Sequence, residues 1–233
     1  MMSLDADHAR ADISYINDLL NPKPMMLETG VTRLATGALV VAVRTELPGC
    51  KGRMLDWWFK HFETTEHLSW WHPLDHVAHN GWDEHRIKGK NYVGATIRAV
   101  ESLGDIPPIS AVIKFHAVHE VFGEDVFEAA MAAGHASAAV YARIGFGDDA
   151  RLDETGDPRD GQMVHVVRDT SQGAVLRSRF ILGLDRGAEH QVPASIGLGL
   201  LQHCYTEFSY LAKVLPSVYW GDPANRAHVP ELW

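Results

Sequence analysis

The sequence predicts an α+β domain in which a curved antiparallel sheet wraps a long C-terminal helix. Three observations carry this expectation. The stretch Ala194–Pro216 is apolar on nearly every side, through Ile196, Leu198, Leu200, Leu201, Phe208, Leu211, Val214 and Leu215, which marks a helix packed inside a fold. Upstream, residues 161–169 and 174–184 form two alternating runs around the turn Thr170–Gly173, the pattern of a hairpin. Its alternation places Val164, Val166 and Arg168 on one face, opposite Met163, His165 and Val167. Finally, 233 residues of which 46% are hydrophobic suffice for one large domain with a full core.

The remaining elements follow in chain order. Ala9–Asn21 reads as a short helix stopped by Asn21-Pro22. Val31–Thr45 reads as a strand pair turning near Gly37, and Leu47–Cys50 as a loop. Met54–Phe62 has helical spacing, with Trp57, Trp58 and Phe59 too apolar for a free surface. Pro73 interrupts Glu66–His85, which is expected to be a loop over an aromatic floor. Tyr92–Ser102 and Ile109–Gly123 read as strands, the second with His116 and His119 on opposite faces. The Ala-rich run Asp125–Ile144 favours helix, interrupted at Gly134. Residues 147–160 read as a solvated acidic loop. Two regions are expected: an N-terminal arm, residues 1–50, with a short helix and a strand pair, and a main domain, residues 51–233.

Charge and composition exclude several function classes. The chain carries 21 Lys and Arg against 30 Asp and Glu, a net charge of −9, with no basic run, which argues against a nucleic-acid partner. No basic-then-apolar leader and no apolar stretch of membrane-spanning length occur, so a cytoplasmic protein is expected. Cys50 and Cys204 give no disulfide framework, and Cys204 reads as a small buried residue.

Clustering points to a site. Five of the seven tryptophans fall between Trp57 and Trp82, and several of the 14 histidines between His61 and His85. On the C-terminal helix His203 and Glu207 are one turn apart and share a face. In an apolar setting both need partners, and either a hydrogen-bonded pair or a divalent metal satisfies them. His72, Asp75, His76 and His79 are candidate further ligands, and Glu101, just before the Leu103-Gly104 bend, is a candidate strand carboxylate.

Five blocks, in order, resemble the diacetylphloroglucinol hydrolases, zinc-dependent enzymes that cleave a carbon–carbon bond. They are Asp56-Trp-Trp-Phe59; Trp71-His-Pro-Leu-Asp-His76; Gly94-Ala-Thr96 with Val100-Glu101; His165-Val-Val-Arg168 with Arg177-Ser-Arg-Phe180 and Gly183; and His203-x-x-x-Glu207. The resemblance implies a START-like helix-grip domain and Zn2+ held by His76, Glu101, His203 and Glu207. It further implies His165 as the catalytic histidine, an acylated phenol or related diketone as substrate, and a homodimer formed partly through the N-terminal region. Where the family places a ring-binding tyrosine, this chain has Leu68, which cannot hydrogen-bond a phenol. Trp71, His79 and Asn80 are the other candidate substrate contacts. Two competing readings are a non-catalytic helix-grip protein holding an apolar aromatic ligand, and a metal-free core with hydrogen-bonded histidines.

Overall fold

Eight strands form one antiparallel sheet in a computed structural model that describes residues 16–148, 150–184 and 191–226. In chain order they are β1 (Gly30–Arg33), β2 (Leu39–Pro48), β3 (His76–Trp82), β4 (Thr96–Leu103), β5 (Ile106–His116), β6 (Ala138–Phe146), β7 (Gly161–Thr170) and β8 (Gly173–Leu182). Across the sheet they lie in the order β1-β2-β8-β7-β6-β5-β4-β3. Five helices accompany them: α1 (Gly52–His61), α2 (Thr65–Trp71), α3 (His119–Phe122), α4 (Glu124–Ala132) and α5 (Ala194–Gly221).

The long helix decides the sheet's shape. α5 packs against β1 and β2 on one side and against β4 on the other, although four strands separate β2 from β4. In a flat sheet that separation is about 24 Å, more than twice a helix diameter. The sheet therefore curls around the helix, which is the START-like helix-grip architecture. Two glycines set how tightly it grips. A Cβ on Gly197 would stand 2.7 Å from Leu39 Cδ2, and one on Gly199 would stand 2.7 Å from the Leu103 carbonyl oxygen. Their helix-propensity cost of about 1 kcal/mol each is offset by backbone approach to both flanks.

The helix also runs one turn past the expected stop at Pro216. Proline lacks the N–H that would reach the carbonyl of Ala212. The buried Cys50 thiol takes that place, lying 3.7 Å from Ala212 O, and burial pushes its pKa up to about 12, so it keeps the proton to donate.

Both faces of the central strands are covered. The inner face holds the larger core, with Val41, Val43, Trp58, Phe59, Phe115, Val167, Leu176, Phe208 and Leu215. On the outer face Val40, Tyr141, Val164, Val166 and Ile181 pack under Ile16, Leu19 and Leu20 and under α3 and α4. The expected alternation in β7 is therefore observed, and every residue of β8 is buried. Arg177 and Arg179 project outward and bind the segment 21–28: Arg177 pairs with Glu28 at 2.6 Å and reaches Lys23 O at 2.8 Å, and Arg179 reaches Leu27 O.

The strand pair expected over Val31–Thr45 is observed as β1 and β2, and Leu39, Val41 and Leu47 share a core with Met54 and Leu55. Other expectations are corrected. Glu66–His85 is not a loop. Pro73 does end α2, but β3 follows as an edge strand. Its two register shifts against β4 erase the alternation that would have revealed it. Ala138–Phe146 is strand, not helix; pairing to both β5 and β7 overrides alanine's helical preference. His119 lies in α3 rather than opposite His116 on a strand. The N-terminal helix expected over Ala9–Asn21 falls partly outside the described residues; a helical turn closes at Leu20. Among the described residues no helix is long and apolar enough to cross a membrane.

Gly199→Ala should destabilise the fold by about 1–3 kcal/mol through overpacking, despite alanine's better helix propensity. Gly221→Ala, where an added Cβ meets nothing within 4 Å, should not. Urea unfolding of both variants checks this.

Candidate active site

The strand register builds half of the site. His76 and Glu101 are cross-strand partners of β3 and β4, and a register shift follows each of them. Such irregularities re-aim side chains at functional places. The other half comes from α5, whose buried face carries His203 and Glu207. His76 Nε2 lies 3.6 Å from Glu207 Oε2, and His203 Nε2 lies 4.0 Å from both Glu101 Oε2 and Glu207 Oε2. Ligands around one ion at about 2.1 Å sit about 3.4 Å apart, so these separations are a few tenths of an ångström wide of a tetrahedral set. Two imidazoles and two carboxylates suit zinc, iron or manganese alike. His76, Glu101 and His203 offer ligand atoms close enough together to hold one divalent metal, and Glu207 stands beside both histidines.

Outer contacts fix both imidazoles. His76 Nδ1–H donates to Leu68 O at 3.0 Å, and His203 Nδ1–H to Asp75 Oδ2 at 3.1 Å. Each ring therefore turns its Nε2 toward the carboxylates, the nitrogen that a metal would take. Asp75 is itself held by the Gly104 N–H at 3.2 Å, and its own carbonyl accepts from Ser102 N–H. The hydrogen bond from His203 holds the Asp75 carboxyl below its usual range. Burial opposes charge on His203, yet the Asp75 hydrogen bond and the fields of Glu207 and Glu101 raise its pKa to about 8. This negative potential, concentrated on a buried ring, is what a cation would neutralise.

His72 is the adjacent histidine, but both its nitrogens are committed. Nδ1 accepts the Asp75 N–H at 2.9 Å, and Nε2 donates to Thr206 Oγ1 at 2.7 Å. It stacks on His203 with rings 5.1 Å apart, supporting that ring rather than facing Glu207 and Glu101. His76 is the residue that the fold brings to them. The part played by Asp75 was not legible as distinct from ligation, because it depends on the distant His203.

His76, Glu101, His203 and Glu207 open into a narrow cavity of about 60 Å3 inside the curled sheet, and His165, Leu68 and Trp71 line it too. His165 is buried among Phe59, Phe180 and Phe208. Burial pushes its pKa down to about 3, so it is neutral at pH 7. Its Nδ1 shares a 2.7 Å hydrogen bond with Ser178 Oγ, its partner across the hairpin. His79 and Asn80 do not reach the cavity. Past the first register shift in β3 they face a separate surface hollow with Glu63 and Arg86.

Asp75→Asn should weaken divalent-metal affinity about 10–100-fold without unfolding the chain, as measured by competition with a chromophoric chelator. His165 has a second consequence. The unfolded chain takes up this proton near pH 6.5 and the folded chain only near 3, so stability falls as pH drops through that window. By pH 5 the loss from this residue should be about 2 kcal/mol. Urea titrations at pH 7.5 and 5 should show a flatter pH dependence in His165→Gln than in the wild type.

Comparison with solved structures shows only distant likeness. Protein Ms6760 from Mycobacterium smegmatis is 14% identical, with 82% of this chain and 96% of that chain covered and a TM-score of 0.39. Major latex-like protein 151 from Panax ginseng is 18% identical, with 75% and 98% covered and a TM-score of 0.41. No curated protein sequence matches the chain. The sequence profile described as the DAPG hydrolase PhiG domain, however, matches residues 11–220, a span that includes His76, Glu101, His165, His203 and Glu207. The chain thus belongs to the DAPG hydrolase PhiG domain family and is a domain of the hydrolase kind.

Proposed function

We propose that the chain is a zinc-dependent hydrolase that cleaves the carbon–carbon bond between an acyl group and a phenolic or related ketone substrate. The observation that carries this reading is the convergence of His76, Glu101, His203 and Glu207 with His165 on one apolar, enclosed cavity. A simple carrier of apolar ligands has no use for such a set. Family membership supports the hydrolase part.

Zinc held by the four residues would polarise a substrate oxygen or acidify a water. The chain's own groups do the rest. Neutral His165 takes a proton from the attacking water as the new carbon–oxygen bond forms. It returns that proton to the departing carbon as the carbon–carbon bond breaks. Negative charge developing on the substrate offsets the burial that keeps His165 neutral beforehand. Ser178 Oγ holds the ring through Nδ1, leaving Nε2 for proton transfer. Phe59, Phe180 and Phe208 exclude water around it. A homodimer joined through the N-terminal region belongs to the same proposal.

A second reading, a binding protein without turnover, draws on the thirteen apolar residues among the cavity's lining. Elemental analysis separates the two. About one zinc per chain is expected, lost in His203→Ala/Glu207→Ala. His165→Ala should keep the metal while hydrolysis of acylphenols or β-diketones falls about 10²–10⁴-fold. A folded wild type that takes up no metal would leave only the binding reading.

A further inference from the structure

The cavity's polar groups are few and gathered. Four form the His76–Glu101–His203–Glu207 cluster, and the fifth is His165. The rest of the wall is hydrocarbon and aromatic ring, including Ile97, Ile113, Phe115, Met163 and Phe180. Among the described residues lining it there is no serine, threonine, tyrosine, asparagine, glutamine, lysine or arginine. The neutral donor that remains is the Trp71 indole N–H, buried and without a hydrogen-bond partner in the chain. A ring bearing hydroxyls around its rim would bury them against carbon, and an unpaired buried hydroxyl costs about tenfold in affinity. The cavity is also narrow, and Ile144 and Phe146 are walls that it shares with a second hollow of about 250 Å3 lined by Ile109, Leu182 and Ile196 and by Asp160, whose carboxylate pairs with Arg151.

We propose that the substrate is a hydroxyl-poor 1,3-dicarbonyl compound. Its two oxygens lie at the His76–Glu101–His203–Glu207 cluster, and its apolar arm runs past Ile144 and Phe146 into the second hollow. The inference rests on the hydrolase reading for its chemistry and on the wall composition for its substrate. The reaction balances without any oxidant or reductant. The water oxygen bonds to one carbonyl carbon, and the bond from that carbon to the carbon between the carbonyls breaks. The released electron pair passes into the second carbonyl as an enolate. One water proton ends on the central carbon, giving a ketone, and the other leaves the new carboxylic acid. Two oxygens three carbons apart match the clustered polar groups, and nothing along the arm asks for a hydrogen bond.

The test uses the zinc-loaded full chain with three probes: 1-phenylbutane-1,3-dione, 1-phenyldecane-1,3-dione and trihydroxyacetophenone. Kd is measured by calorimetry on His165→Gln, and kcat/KM by acid release on the wild type. The long-armed diketone should bind at least about tenfold more tightly than the triol, since each unpaired hydroxyl is worth about tenfold. The wild-type kcat/KM should follow the same order, which keeps the test intact if His165→Gln does not fold. Phe146→Ala should shift the ratio of the two diketones' Kd values several-fold in favour of the long-armed one. A triol bound or hydrolysed as well as the diketones would overturn the substrate assignment and leave the hydrolase reading standing. Failure of every probe to bind would also overturn it. Diketones that bind in the expected order but are never hydrolysed would sink the hydrolase reading alone.

Discussion

Three carboxylates, those of Asp75, Glu101 and Glu207, are held beside two imidazoles in a space that water scarcely enters. Charges so placed must be paired, because desolvation costs several kcal/mol per ion. The proton that His203 retains answers only part of this need. The surrounding architecture serves the same demand: strand irregularities turn His76 and Glu101 inward, and α5 presents His203 and Glu207 on its buried face. The two helix glycines bring these halves within 4.0 Å of each other. A looser grip would leave acids and imidazoles facing a void.

Two histidines in one cavity meet opposite environments. His203, among carboxylates, is raised to about 8, and His165, among phenylalanines, is lowered to about 3. Groups of the same type pushed apart in this way commonly divide the labour of a site. Between them lies Cys204, whose buried thiol adjoins Ser178 and Glu207 and keeps its proton because burial raises its pKa. The reading of Cys204 as a small buried residue thus agrees with its place.

Much of this was legible in the sequence where period and chemistry coincided. The apolar helix 194–216 and the hairpin with His165 facing inward show strong periodicity, and His203 and Glu207 share a face by spacing alone. Edge strand β3 was not legible, since its shifted register breaks alternation and Pro73 suggests a loop. For the same reason His79 and Asn80 seemed closer to the site than they are. β6 was hidden by its alanines, which are small enough to sit beneath α4 and beside α1. That His72 supports while His76 faces the carboxylates depends on Thr206 and Leu68, partners that no local pattern identifies.

The hairpin strand β8 alternates between two duties. Ser178 points in and holds His165, while Arg177 and Arg179 point out and hold the segment 21–28. The ends of one short stretch are thus stitched to the chain's beginning, and its middle supports the reacting histidine. A shortened chain starting at Gly30 would keep all eight strands, yet would remove the Glu28 carboxylate and the Lys23 and Leu27 carbonyls that these guanidinium groups bind on the sheet face behind His165. The early segment therefore acts as a backing plate for the chemistry, though it touches none of it.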